Sequence, residues 1–477
     1  MKNLAYRKRL VSLPFIGLLL LVAAVLMEAN GCGGTSSSGG TSSGPTVGKI
    51  QHVVVIFQEN RTPDNLFHDP VLIGRGADIA SSGTNSSGQT VPLVPISLQT
   101  DYDRNHAHLA FQQMYDDGKM DGTNLILVTC NPGAMDCPPP NQGYAYVNPS
   151  DVTPYFNLAE TYTFGDRMFQ TNQGPSFPAH QFIISGTSAP TPPGNSMSDW
   201  FAAENPIGLV GADSNTGCTA PSNETVALID PSGVEHPAYP CYEHPTLTDQ
   251  LDSQKISWKY YTPSAGSIWT SPNAIQHMCV PNVPPPNGTV CTGSDWTQNV
   301  VLEAGGNQIL TDIANSQLAS VSWVIPNSSV SDHAGVNNGG GPSWVASIVN
   351  AIGSSQYWSN TAIIITWDDW GGWYDHVAPS VINSYEYGFR VPLIIVSPYA
   401  KPQYVSHQVN DFGSILKFIE STFGLQAVSS TYADALATND LSDCFDFTQT
   451  PLTFQTVPMD ATKLVIDKNV PLDPDDD

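Results

Sequence analysis

Two unbroken apolar runs, each stopping on acidic or amide side chains, organise this sequence. The first, Val53 to Phe57, delivers Glu59 and Asn60; the second, Ala362 to Ile365, delivers Asp368 and Asp369, followed by Gly371 and Gly372. Neither run alternates polar with apolar positions, so each predicts a strand covered on both faces, as in a parallel sheet. Sheets of that kind bind ligands where their strands end. Read alone, Asp-Asp-Trp-Gly-Gly is equally an ordinary acidic turn after a core strand. The second run with the same ending tilts the balance toward a shared site.

Further short apolar segments bounded by turn residues predict strands at Ser257–Tyr261, Val321–Ile325 and Val391–Val396, and a weaker one at Asn124–Val128. Helical spacing predicts helices at His106–Met120, Tyr155–Thr161, Trp344–Ile352 and Phe412–Phe423, the last closed by Gly424. Alternating strands and helices imply an α/β fold: a mostly parallel central sheet with helices on both faces. Pro, Gly, Ser and Asn crowd residues 189–245 and 281–293, which predicts loop-rich insertions on that core.

The N-terminus sets Lys2, Arg7, Lys8 and Arg9 before the apolar stretch Val11–Met27, the layout of an export signal over residues 1–31. Ala29-Asn30-Gly31-Cys32 is an imperfect lipoprotein cleavage box, and the Gly/Ser-rich residues 32–48 read as a tether behind a lipidated Cys32. Soluble export and an uncleaved membrane anchor are the alternatives, in that order. Residues 49–460 then read as the main domain and 461–477 as an acidic tail. In an exported protein, local pairing of Cys130 with Cys137, Cys218 with Cys241 and Cys279 with Cys291 is the natural arrangement, leaving Cys444 free. The formal charge of −26 argues against nucleic acid as a partner.

Glu59, Asn60, Asp368 and Asp369 offer four oxygen donors at neighbouring strand ends, a set that suits a hard divalent cation. Ser176, after Gly174-Pro175, sits in a rigid turn where a metal or base could activate its hydroxyl. Its structural alternative is a helix N-cap, and a helix start there would also attract a phosphate.

Glu-Asn-Arg at 59–61, the stretch from Asp103 ending Gly-Lys-Met-Asp-Gly at 122, Gly-Pro-Ser at 174–176, Asp-His at 332–333, the Thr366–Val377 segment and Gly-Phe-Arg-Val-Pro at 388–392 occur in that order. Together they resemble the bacterial phosphoesterase family that includes phosphatidylcholine-type phospholipases C and a group of acid phosphatases, within the alkaline phosphatase superfamily. The resemblance implies one metal ion held by Glu59, Asn60, Ser176, Asp368 and Asp369, with Ser176 attacking phosphorus. It also implies His106 and His333 lining the phosphate pocket, and His277 as a third. Thr62-Pro63 stands where the family usually has Ser-Phe. Asp369 replaces a frequent Glu, and Ser176 a Thr common among the phospholipases, which leans toward the acid phosphatase branch. The implied substrate is a phosphate ester, either a small molecule or a phospholipid headgroup, and the metal is calcium, magnesium, manganese, iron or zinc. The rival classes are a non-catalytic surface lipoprotein that binds through the same fold, and a sister hydrolase of sulfate or phosphonate esters.

Overall fold

A computed structural model describes residues 48–464 apart from 136, 140, 142, 192–198, 208–214 and 304–306. The export signal, most of the tether with Cys32, and the end of the acidic tail lie outside the described residues. No helix among the described residues is long and apolar enough to cross a membrane.

The central sheet is built from β1 (His52–Gln58), β2 (Thr163–Phe169), β3 (Trp258–Thr262), β4 (Val300–Leu302), β5 (Val321–Val324), β6 (Thr361–Trp367), β7 (Arg390–Val396), β8 (Tyr404–Ser406) and β9 (Asn410–Asp411). Their order is β4-β3-β5-β1-β6-β7-β2-β8, with β9 also pairing β2. All pairings are parallel except the two made by β7, which runs against β6 and β2. The sheet is therefore mixed but mostly parallel, with β1 and β6 at its centre.

Both central strands are buried on both sides, as their unbroken apolar runs require. Val55 pairs with Trp323 and Ile364, whereas Gln58, three residues on, pairs with Trp367, so the two tryptophans point to opposite faces. On one face the Trp323 indole donates to Ile183 O in α3 (Ser176–Ser185), and Phe57 meets Phe412 of α6 (Phe412–Phe423). On the other, Trp367 packs edge-on against Tyr155 of α2 (Thr153–Thr161). Helix α5 (Gly341–Gly353) packs against α2 and α4 (Gln308–Ala314). Helices thus cover both faces, as the alternation of elements predicts.

The helix predicted over His106–Met120 is shorter: α1 spans His108–Tyr115, and Asp116, Asp117 and Met120 all turn to positive φ. The segment 124–128 is a 3-10 turn at Thr123–Leu125, and its strand starts only at Val128. Within the insertions, Cys218–Cys241 and Cys279–Cys291 are bridged, as is Cys130–Cys137 elsewhere, and Cys444 is free and buried.

Glu420 on α6 and Asp434 face one another in the interior, where Asp434 also accepts Val428 N–H at 2.6 Å. Burial first, then the Asp434 charge, pushes the Glu420 carboxyl up to about 9. Asp434 is raised too, chiefly by burial. The folded state therefore holds a proton that the unfolded chain releases near the ordinary carboxyl range, and stability falls as pH rises from there toward 9. Glu420→Gln should flatten this loss, so thermal melts at pH 5 and pH 8 should differ less than in wild type. An unchanged difference would show that the pair is not strained by ionisation.

Candidate active site

The register of the two central strands creates the site. Gln58 is level with Trp367, so the residues that follow, Glu59-Asn60 and Asp368-Asp369, leave adjacent strands at the same height. The ladder continues past the strands, with Asp368 N–H donating to Gln58 O at 2.9 Å and Arg61 N–H to Asp369 O at 3.0 Å. Strand β2 runs parallel to β6 and ends at Phe169; the loop after it carries Ser176 to the same edge, and the loop after β5 carries Asp332 and His333.

Each aspartate commits one oxygen to the backbone. Asp368 Oδ1 accepts from Asn60 N–H at 3.1 Å and Asp369 N–H at 2.7 Å; Asp369 Oδ1 accepts from Gly371 N–H at 2.7 Å. The second oxygens face inward. Ser176 Oγ lies 3.2 Å from Asp369 Oδ2 and 3.4 Å from Glu59 Oε2. The serine is the first residue of α3, with Pro175 in the cap position, and the next N–H, of Phe177, donates to Asn205 Oδ1 at 2.9 Å. Asn60 adopts φ +63°, which asparagine tolerates, and points its amide nitrogen at His106 Nε2, 3.0 Å away.

His106 donates through Nδ1 to Arg104 O at 2.8 Å, which leaves Nε2 as an acceptor for Asn60 and places it 3.9 Å from Asp369 Oδ2. The His333 ring is centred 5.8 Å from that of His106, and its Nδ1 is 2.7 Å from Ala334 O. Glu59, Asn60, His106, Ser176, His333, Asp368 and Asp369 are all fully buried. His277 is not among them. Its ring stands between Glu243 and Asp249, at 2.9 and 3.4 Å, and although burial opposes it, those two carboxylates carry its pKa up to about 9. His376 pairs with Asp64 and Asp78 in a network around Arg390.

The residues present fit a cation. The buried Asn60 Oδ1 and Asp368 Oδ2 have no hydrogen-bond donor among the described residues, an arrangement that costs about 1–3 kcal/mol per atom when nothing else compensates. Oxygen donors of this kind suit a divalent ion. The sequence reading passed over one member of the group: His180, one helical turn after Ser176, places Nε2 3.5 Å from Glu59 Oε1 and 3.7 Å from Asp368 Oδ2. The i, i+4 spacing on a helix was the available signal.

A family model described as the Phosphoesterase family matches residues 50–426, a span that runs from β1 to just beyond α6. The chain belongs to the Phosphoesterase family. Among curated proteins, this phosphoesterase-family chain is 24% identical to the hemolytic phospholipase C of Pseudomonas aeruginosa over 84% of its own length and 56% of the relative's. It is 22% identical to phospholipase C B of Mycobacterium tuberculosis, covering 84% of itself and 78% of that protein. The chain thus spans little more than half the length of the first of these relatives. A solved protein of the alkaline phosphatase superfamily from Vibrio parahaemolyticus aligns at a TM-score of 0.36 and 11% identity, over 83% of this chain and 71% of that one.

Buried arginines hold the loops that carry this candidate site. Arg61 donates through Nε and Nη2 to Asp332 O at 2.9 and 2.7 Å, tying the Glu-Asn-Arg turn to the loop of His333. Arg104 donates to Gly372 O at 2.8 Å and stacks on Trp373. Asp332 itself accepts from Tyr155 and Trp367, each at 2.9 Å; burial raises its pKa to about 6 against the opposing charge of Arg61. Thr62, in the unusual Thr-Pro pair, caps the short helix Pro63–Leu66.

Gly371 has φ +60°, and a Cβ there would stand 2.3 Å from Asn60 O. Gly424 has a similar φ of +69° and open space around it. Gly371→Ala should therefore lose more unfolding free energy than Gly424→Ala, where only a backbone strain of about 1 kcal/mol applies. Equal losses in denaturant titrations would mean that the turn does not press on Asn60.

Proposed function

We propose that this chain is an exported metal-dependent phosphoesterase that hydrolyses phosphate esters through Ser176 and a phosphoserine intermediate. The observation that carries the reading is the serine hydroxyl held at the start of a helix, 3.2 and 3.4 Å from two buried carboxylates. A carboxylate so placed takes the hydroxyl proton as Oγ attacks phosphorus. The positive end of the α3 dipole favours the negative phosphoryl group, with the Phe177 N–H already taken by Asn205 and Pro178 offering none.

Glu59, Asn60, Ser176, Asp368 and Asp369 would hold the cation, which supplies charge neutralisation to the phosphoryl oxygens and lowers the serine pKa. With Nδ1 held by Arg104 O or Ala334 O, the imidazolium form of His106 or His333 would donate its Nε2–H to the transferred group and give that proton to the departing alkoxide. Water then attacks phosphorus and gives a proton to the now neutral imidazole, the Ser176 Oγ–P bond breaks as the protonated carboxylate returns its proton to Oγ, and the phosphate product leaves. His277, at its separate position between Glu243 and Asp249, takes no part in this scheme.

Two substrate readings follow. Ser176 and Asp369, in place of Thr and Glu, favour a small monoester in the manner of acid phosphatases. The phospholipase C relatives favour a phospholipid headgroup diester. The basic and apolar stretch of residues 2–27 supports export, with Cys32 as the lipidation point.

The test compares para-nitrophenyl phosphate with para-nitrophenyl phosphorylcholine, using wild type, Ser176→Ala and metal-stripped protein. Wild type should turn over at least one ester, and Ser176→Ala should fall by about a thousandfold or more at unchanged fold. Stripping the metal should abolish turnover and adding it back should restore it. Retained activity in Ser176→Ala would remove the serine from the chemistry; no turnover of either ester by metal-replete wild type would favour the binding-module reading.

A further inference from the structure

His180 offers more than proximity. Its Nδ1 lies 3.3 Å from the Tyr260 hydroxyl, and that hydroxyl donates its single proton to Trp269 O at 2.8 Å. Ser271 Oγ also reaches the same phenol oxygen, at 3.3 Å. A phenol has one proton to give, so with that proton on Trp269 O the contact with His180 requires Nδ1 to be the donor. The neutral imidazole then carries its lone pair on Nε2, and Nε2 faces Glu59 Oε1 and Asp368 Oδ2 at 3.5 and 3.7 Å.

A lone pair set against two carboxylates in a fully buried pocket is repulsive unless a proton or a cation lies between them, and a cation offsets all three groups at once. Two donors each about 2.1 Å from one ion stand roughly 3.0–3.5 Å apart, so the observed 3.5 and 3.7 Å lie at and slightly above that span and need only a small inward movement to close on an ion. The imidazole plane is fixed as well. Trp269 lies nearly parallel to it at 22° and Phe57 is tilted at 53°, each with its ring centroid 6.5 Å away.

We propose that His180 is a nitrogen ligand of the metal, that Tyr260 is the positioning residue that sets its tautomer, and that the ion is a first-row transition metal such as manganese, iron or zinc. The proposal rests on the metal reading of the site and narrows it. Five oxygen donors alone accept calcium or magnesium; an imidazole among them shifts preference toward borderline ions.

Metal-stripped wild type, His180→Gln and Tyr260→Phe are titrated calorimetrically with Mn²⁺, Zn²⁺, Ca²⁺ and Mg²⁺, and thermal melts of the stripped proteins check the fold. Wild type should bind Mn²⁺ and Zn²⁺ about tenfold or more tighter than Ca²⁺ and Mg²⁺. Tyr260→Phe should bind Mn²⁺ and Zn²⁺ about 10–100-fold more weakly with little change in the stripped melt. His180→Gln should lose the preference and treat Ca²⁺ much like Mn²⁺. Should His180→Gln fail to fold, Tyr260→Phe and the visible spectrum of the Co²⁺-loaded wild type, which reports nitrogen ligation, decide the matter. Calcium or magnesium binding as tight as manganese in wild type overturns the proposal alone, as does a His180→Gln protein with its preference intact. Absence of any divalent binding overturns it together with the metal reading.

Discussion

The site depends on one electrostatic constraint: three carboxylates, Glu59, Asp368 and Asp369, are gathered in a pocket with no exposure to water. Like charges this close destabilise one another unless protons or cations intervene. The sheet makes their approach unavoidable, because β1 and β6 are paired in register to their last residues and both turn at the same height. What the surrounding structure does is organise that charge. Backbone N–H groups take one oxygen of each aspartate, the serine hydroxyl spans Glu59 and Asp369, and the remaining donors converge. A buried anionic cluster with orphaned oxygens is a poor way to stabilise a fold and a good way to hold a cation against a phosphate ester.

A second acidic group shows the contrast. Asp64, Asp375 and His376 also lie together, yet Arg390 sits among them, 2.8 Å from Asp375 and 3.2 Å from Asp64. Its guanidinium also donates to Asp78 O and Asp166 O, so the group serves as a brace between the strand that carries Arg390 and the loop beyond Gly372. Charge there is already balanced. In the site, by comparison, the buried Arg61 and Arg104 donate to carbonyl oxygens of the loops and position them. The arginines of the family motifs thus act on the backbone that carries the chemistry.

Much of this was legible in the chain because burial on both faces leaves an unmistakable apolar run. Val53–Phe57 and Ala362–Ile365 announced the two central strands, and the residues just beyond them announced the site. Strand β2 escaped because Asp166 and Arg167 interrupt its apolar pattern; Asp166 is buried all the same, paired with His407. The reversed direction of β7 has no signature in its own residues, since a strand buried on both sides reads the same either way. Asn124–Val128 looked like a strand from composition, but Leu125 and Leu127 are exposed, and the chain there turns instead of extending. His180 went unread for a different reason: a single histidine is more often structural than functional, and only its spacing from Ser176 marked it. His277 carried the opposite hazard, because nothing in its local sequence reveals that two surface carboxylates surround it.

In the proposed mechanism, a serine nucleophile at a strand-end metal site becomes covalently phosphorylated during turnover. The most direct measurement is tandem mass spectrometry of the protein quenched in acid during turnover of excess phosphate ester. The account predicts one phosphoryl group, located on Ser176 and absent from protein quenched without substrate. Turnover with no phosphorylated residue, or with the phosphoryl group on another side chain, would contradict it.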